Sequence, residues 1–168
     1  MTLTLYLLRH AKSDQDGRAD FDRPLSKRGA REAVEMGAVM SGRGYRPGLV
    51  LCSGARRTRE TLAGIQPALT PGTTVEFTRR IYDASAEDLL DLITEQPNTV
   101  ASLMLIGHNP GFEQLATALA GSGDGAALAR LRAKFPPAGL AVLGFDAADW
   151  ADVRPGDGRL EAFETPSG

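Results

Sequence analysis

The sequence predicts an α/β fold in three layers, α/β/α, a mainly parallel sheet flanked by helices. Three observations carry this. Short apolar runs stand at 3–8 (LTLYLL), 49–52 (LVLC) and 102–107 (SLMLIG), each too short for three helical turns and suited to a strand buried on both faces. Segments of helical composition follow them, and strands alternating with helices imply a parallel sheet covered on both sides. With 168 residues, 42% of them apolar and 24% charged, the chain matches one globular unit, so a single domain over 1–168 is expected.

The elements follow in chain order. After the first strand and a polar loop at 11–24, Ser26 is placed to cap a helix in which Ala30, Ala33, Val34, Gly37 and Met40 recur at three- and four-residue intervals. It should end near GRGYRPG, 42–48. The second strand leads through Ser53-Gly54 into ARRTRETLAGI, helical until Pro67 stops it. A short extended piece around 74–77 and a helix at about 86–95 precede the third strand. The following stretch NPGFEQLATALAG reads as a helix with Asn109 at its N-cap, Pro110 at the first helical position and Gly121 past its end. GSGDG, 121–125, reads as the one flexible segment, and 140–145 and 159–163 as two further strands at the sheet edges.

Nineteen basic against twenty-one acidic residues give a formal net charge of −2. That balance argues against a general nucleic-acid or anionic-membrane footprint, so any anion site must be local. No stretch approaches the roughly 20 apolar residues of a membrane span, and no basic segment precedes a longer apolar block at the N-terminus. A cytoplasmic, unprocessed protein is expected, monomeric by default. The single cysteine, Cys52, excludes an intramolecular disulfide, and zinc-ribbon spacings are absent.

Ligands on parallel sheets bind beyond the carboxyl ends of the strands. Both histidines of the chain, His10 and His108, lie at or just past such ends. Arg9 precedes His10, and the second strand exit supplies Ser53, Arg56, Arg57 and Arg59 at a helix start. Arginines there oppose the helix dipole, which a bound anion would offset. A solvated helix face accounts for one or two of them, with Arg57 as the expected exception. Two imidazoles and two guanidiniums around one crevice suit a phosphoryl group: the guanidinium fork matches its oxygens, and a neutral imidazole is a competent phosphoryl acceptor.

LRHAKS (8–13), CSGARRTRET (52–61) and IGHNPG (106–111) resemble, in order and spacing, three signatures of the histidine phosphatase superfamily, the phosphoglycerate mutase-like fold. The short length, DRPLSKRG (22–29) and IYDASAEDLL (81–90) are similar to SixA-type phosphohistidine phosphatases. The resemblance runs over roughly 3–120. It implies His10 as nucleophile, Arg9 and Arg57 as phosphate-binding arginines, and His108 as a second histidine contacting the phosphoryl group. Ser13 and Asn109 fall at positions of secondary polar contact. No cofactor and no metal are implied.

The sequence departs from that pattern at Ala11, where glycine is usual, and at Gly54, where proline is common. No glutamate is evident at the place where larger relatives carry a general acid, leaving Asp83 and Glu87 as substitutes whose bland reading is surface charge. An alkoxide leaving group needs a proton more than an imidazole does, so a phosphorus–nitrogen substrate relaxes the requirement. The chain is also short for lid insertions. A protein-borne phosphohistidine is therefore the expected substrate. The alternatives are a small phosphate ester, hydrolysed by a phosphomonoesterase of the same superfamily, and a non-catalytic phosphate- or phosphopeptide-binding module. Two rivals have less support. Cys52 as nucleophile would need an arginine six positions on, where Thr58 stands, and a metal held by His10, His108 and one aspartate would sit among repelling arginines.

Overall fold

The computed structural model describes residues 2–167. The first apolar run forms β1 (Thr2–Arg9), and Ser26 caps α1 (Lys27–Arg43) by accepting the Gly29 N–H at 2.9 Å. Gly44 ends α1 in the left-handed region, φ 73°, which a side chain would disfavour. Then come β2 (Leu49–Ser53), α2 (Arg56–Ile65), β3 (Thr74–Thr78), α3 (Ala86–Thr94) and β4 (Ser102–Gly107). The chain continues through α4 (Gly111–Leu119), β5 (Ala120–Gly123), α5 (Gly125–Ala133), β6 (Leu140–Asp146) and β7 (Gly158–Glu164).

The strands form one sheet in the order β3-β2-β4-β1-β6-β7-β5. Four of its six pairings are parallel, and the antiparallel ones, β1 with β6 and β6 with β7, lie together. Alternation along each strand divides the core. On one face Leu3, Leu5 and Leu7 of β1 join Leu103 and Leu105 of β4 against Leu89, Phe112 and Leu115 of α3 and α4. On the other, Tyr6 and Leu8 join Met104 and Ile106 against Met36 and Met40 of α1 and Leu62 of α2. These two clusters make the α/β/α layering, with every central strand apolar on both faces.

Four details differ from the sequence reading. β6 and β7 are both interior strands, not edges: β1 and β7 flank β6, whose Leu140–Phe145 is buried throughout, and β6 and β5 flank β7. GSGDG is not a free linker, since Gly121 to Gly123 belong to β5, an edge strand paired with β7. The chain from Gly125 forms α5, whose pattern is weak because it buries only Ala127 and Leu131. α4 begins at Gly111 rather than Pro110, although Asn109 Oδ1 still accepts the Glu113 N–H at 3.2 Å. No described helix is long and apolar enough to cross a membrane.

Candidate active site

The parallel strands β1, β2 and β4 deliver their carboxyl ends side by side. Arg9 pairs in register with Gly107, the His10 N–H bonds the Gly107 carbonyl at 2.9 Å, and the His10 carbonyl accepts the Ala138 N–H at 3.0 Å. The nucleophile candidate thus sits on backbone fixed by the end of β4 on one side and by the turn before β6 on the other. Thr61 of α2 adds a third tie: its hydroxyl accepts the Ala11 N–H at 3.0 Å and donates to the Arg57 carbonyl at 2.7 Å.

The two imidazoles are buried, with ring centroids 5.4 Å apart. His10 Nδ1 lies 2.6 Å from the Ala11 carbonyl. A carbonyl can only accept, so Nδ1 carries the proton and Nε2 keeps its lone pair. Burial, with Arg57, Arg9 and Arg23 nearby, pushes the His10 pKa down to about 4, which leaves the ring neutral at physiological pH. His108 Nε2 lies 2.8 Å from Ser53 Oγ, which also accepts the Ala55 N–H. Among the described residues the Ser53 hydroxyl has no acceptor in reach other than His108 Nε2, so its donation there satisfies both groups and leaves the His108 proton on Nδ1. Burial, then the neighbouring His10 and Arg57, bring the His108 pKa down to about 3.

The guanidiniums flank the rings. Arg9 Nη1 donates to the Phe135 carbonyl at 2.9 Å. Arg57 is buried in the first turn of α2, whereas Arg56 pairs with Glu60 at 2.8 Å and the exposed Arg59 donates to Gly54. Arg57 is thus the inward exception among the arginines of this turn. Among the described residues, Arg9 Nε, Arg57 Nε and His108 Nδ1 are buried side-chain atoms without a hydrogen-bond partner. A buried unpaired donor costs about 1–3 kcal/mol, and a tetrahedral oxyanion is the ligand whose several oxygens can satisfy such donors together.

A pocket of about 540 Å³ opens over these groups, with Ser13, Asn109 and Asp83 also in its lining. Ser13 Oγ accepts from Arg23 at 2.8 Å, and the Asn109 amide donates to the Phe135 carbonyl at 3.1 Å, so both hold the pocket wall. Asp83 is exposed at the rim with φ 56°. Glu87 is exposed in the first turn of α3 and lines no part of this pocket. Cys52 is fully buried and its thiol is pushed up to about 12 by burial, which removes it as a nucleophile. Among the described residues no cluster of three or more His, Cys, Asp or Glu side chains is arranged to hold a metal ion.

Four pocket residues, Gln15, Asp20, Arg23 and Tyr82, carry no role in the sequence reading. Asp20, in a single 3₁₀ turn at Asp20–Asp22, takes Arg57 through both its carbonyl and its carboxylate, accepts Arg23 at 2.9 Å, and accepts the Tyr82 hydroxyl. The Tyr82 hydroxyl first, then Arg23 and Arg57, hold the Asp20 carboxyl well below the usual carboxylate range. Tyr82 stands edge-on to His108, centroids 5.5 Å apart, and edge-on to Phe21 at 5.0 Å. The DRPLSKRG segment begins at Asp22, two residues after the carboxylate that organises the site.

Comparison with known proteins agrees with this geometry. The model of the histidine phosphatase superfamily (branch 1) matches residues 5–110. An uncharacterized protein of Mycobacterium tuberculosis is 42% identical over 165 residues, covering 95% of this chain and 99% of its own. The protein assigned as phosphohistidine phosphatase SixA in Agrobacterium tumefaciens superposes with a TM-score of 0.81 at 37% identity, covering 98% of both chains. Its counterpart from Nakamurella multipartitia gives 0.84 at 28% identity, covering 100% of this chain and 98% of its own. The chain therefore belongs to the histidine phosphatase superfamily, branch 1, as a phosphatase of the SixA type.

Proposed function

We propose that this phosphatase removes phosphate from protein phosphohistidine, without a metal, through a phospho-His10 intermediate. The observation that carries the reading is the His10 tautomer: Nδ1–H is committed to the Ala11 carbonyl, and Nε2 is a neutral lone pair among Arg9, Arg57 and Arg23. Nε2 attacks phosphorus in line, the bond from phosphorus to the leaving nitrogen breaks, and its electron pair stays with the departing imidazole. Arg9, Arg57 and His108 Nδ1–H hold the equatorial oxygens, where positioning and charge stabilisation provide most of the catalysis. Water then attacks phospho-His10, releasing inorganic phosphate and returning the ring to its starting form.

The substrate class follows from the proton balance. The carboxylates lining the pocket are Asp20 and Asp83. Asp20 is locked in its ionised form by Tyr82, Arg23 and Arg57 and has no proton to give at neutral pH. An imidazole whose second nitrogen is protonated leaves as a neutral molecule and needs none, whereas an alkoxide does. Asp83 is the remaining acid candidate, and participation by it would favour the ester-hydrolysing alternative. The exposed rim residues Gln15, Asp20 and Asp83 leave the mouth accessible to a protein surface.

The test compares wild type with His10→Ala on a phosphohistidine-bearing protein, on p-nitrophenyl phosphate and on sugar phosphates, in chelator. The expected result is preferential, His10-dependent loss of phosphohistidine. Efficient ester hydrolysis would instead make the protein a phosphomonoesterase, binding without turnover a recognition module, and restoration by added metal would overturn metal independence.

A further inference from the structure

A second concavity, about 580 Å³, lies outside the catalytic pocket and shares none of its lining residues. Its rim gathers Lys12 from the loop after β1, Arg28 from α1, and Arg130 and Lys134 from the end of α5, all exposed. The single acid among them, Glu32, lies 3.6 Å from Arg28. Cations at a helix C-terminus are explained by the helix dipole, which accounts for Arg130 and Lys134. It does not account for Lys12 and Arg28, brought in from two other elements of a chain whose net charge is −2.

The floor has a different character. The half-buried Pro136, Pro137 and Pro166 supply apolar surface above the buried Phe163, whose ring centroid lies 5.9 Å from the Arg130 guanidinium. No buried guanidinium converges here as Arg57 does in the catalytic pocket, so this is not a built phosphate site. A basic rim over an apolar trough fits an acidic peptide segment with an aliphatic or aromatic anchor.

The trough is also joined to the catalytic machinery. Lys12 lies two residues beyond His10, and its carbonyl holds the Ser26 N–H at 2.9 Å. Lys134 directly precedes Phe135, whose carbonyl receives both Arg9 and Asn109, and Ala138 bonds the His10 carbonyl. Segment 135–138 is therefore the wall between trough and pocket, with Lys134 on the trough side of it.

We propose that this trough is the docking site for an acidic segment of the phosphohistidine-bearing substrate protein, an assignment that rests on the function proposed above. Docking there would hold a protein substrate at the catalytic mouth and leave small substrates unaffected.

The probe is a fluorescein-labelled, unphosphorylated peptide of about twelve residues, Glu and Asp with two leucines, read by fluorescence anisotropy against wild type and R130E/K134E. Wild type should bind it, more weakly as NaCl rises from about 50 to about 300 mM, and the variant should lose about tenfold or more. Hydrolysis of p-nitrophenyl phosphate should stay within about twofold, since neither side chain lines the catalytic pocket, when assayed well below the variant's thermal midpoint, which two glutamates at the C-terminus of α5 lower by a few degrees. With the phosphorylated protein, KM should rise while kcat holds. Absent wild-type binding, equal binding by the variant, or displacement by tripolyphosphate below the concentration of unlabelled peptide needed would overturn the assignment, the last by making the trough a small-polyanion site. The peptide carries no phosphoryl group, so failure of docking is read separately from failure of the phosphatase chemistry, which His10→Ala reports.

Discussion

Asp20 grips Arg57 twice: its backbone carbonyl accepts Nη1 at 2.7 Å and its carboxylate accepts Nη2 at 3.1 Å. Two contacts from one residue fix both the position and the rotation of the guanidinium plane, leaving its Nε edge uncommitted. The same carboxylate takes Arg23 and Tyr82, so a loop residue of little apparent note sets the geometry of the catalytic pocket. Arg57→Lys would lose the fork that makes this possible.

Asp20→Ala keeps the carbonyl contact and deletes the carboxylate. Arg57 should then sample other orientations, and kcat/KM should fall by about ten- to a hundredfold, the range expected when a charged group is misplaced by about 1 Å. Steady-state kinetics beside an unchanged thermal midpoint would check it. A rate equal to wild type would mean that the carbonyl alone positions Arg57.

Ser53→Ala removes the hydroxyl that donates to His108 Nε2 at 2.8 Å. The proton of His108 would then be free to move to Nε2, leaving Nδ1 without a hydrogen for a phosphoryl oxygen. Turnover should drop by about tenfold to a thousandfold, the lower end of that span being a partial tautomer shift and the upper end full loss of one oxyanion donor. Nitrogen-15 spectra of the two imidazoles report the tautomer directly: wild type should show Nδ1–H on both rings, and the variant a mixture on His108.

The depressed histidines predict a particular acid limb. His10 must be neutral to attack, and its pKa of about 4 places the loss of nucleophile near pH 4 rather than near 6.5. The rate for the free enzyme should stay on its plateau down to about pH 5, once substrate protonation is accounted for. Stability moves in the same direction. Both groups bind protons more readily unfolded than folded, so between roughly pH 6.5 and pH 3 the unfolded state holds the extra protons. The histidine contribution is therefore fully favourable above about 6.5, declines as the pH falls through that window, and levels off below the folded values. Urea midpoints measured across pH 3–7 would show this slope, and His108→Gln should flatten part of it.

Much of this was legible in the sequence because strand ends and buried runs are local signals. LTLYLL, LVLC and SLMLIG are apolar on both faces, and nothing but a doubly covered strand accommodates that. Arg9, His10, Arg57 and His108 stand at the ends of those runs or one turn beyond, and the structure brings all four to one pocket. Asp20 was not legible, because it sits in a polar loop where carboxylates are common and only the tertiary approach of Arg57, Arg23 and Tyr82 distinguishes it. The interior position of β6 was hidden for a related reason: an apolar run shows that a strand is buried, while its place in the sheet depends on which neighbour it pairs with. α5 was missed because a helix burying two side chains has almost no periodicity to read.

Cys52→Ala separates the nucleophile assignments by the simplest route. The thiol is buried on β2 with its proton directed to the Ser53 carbonyl at 3.3 Å. Activity should be unchanged within about twofold and stability lowered by about 1 kcal/mol for the lost sulfur contacts. Native protein should also resist iodoacetamide.

Gly29 tests how tightly the loop carrying His10 is held against α1. A Cβ at Gly29 would lie 2.0 Å from the Lys12 carbonyl oxygen, a clash with backbone that no rotamer change relieves. The same carbonyl receives the Ser26 N–H at 2.9 Å and the Ser26 hydroxyl at 3.2 Å, while Ser26 Oγ caps the helix through the Gly29 N–H. Gly29→Ala should therefore push the loop off the helix cap, lowering stability by about 1–3 kcal/mol and reducing turnover beyond what the remaining folded fraction explains, because Lys12 is only two residues from His10. Glycine at this position is needed for close approach rather than for backbone freedom, since α1 continues through it in ordinary helical geometry. Measuring kcat at a temperature where the variant is fully folded distinguishes the two effects: a normal kcat there would show that the loop shift does not reach the imidazole, and a lowered one would place the α1 contact among the determinants of nucleophile position.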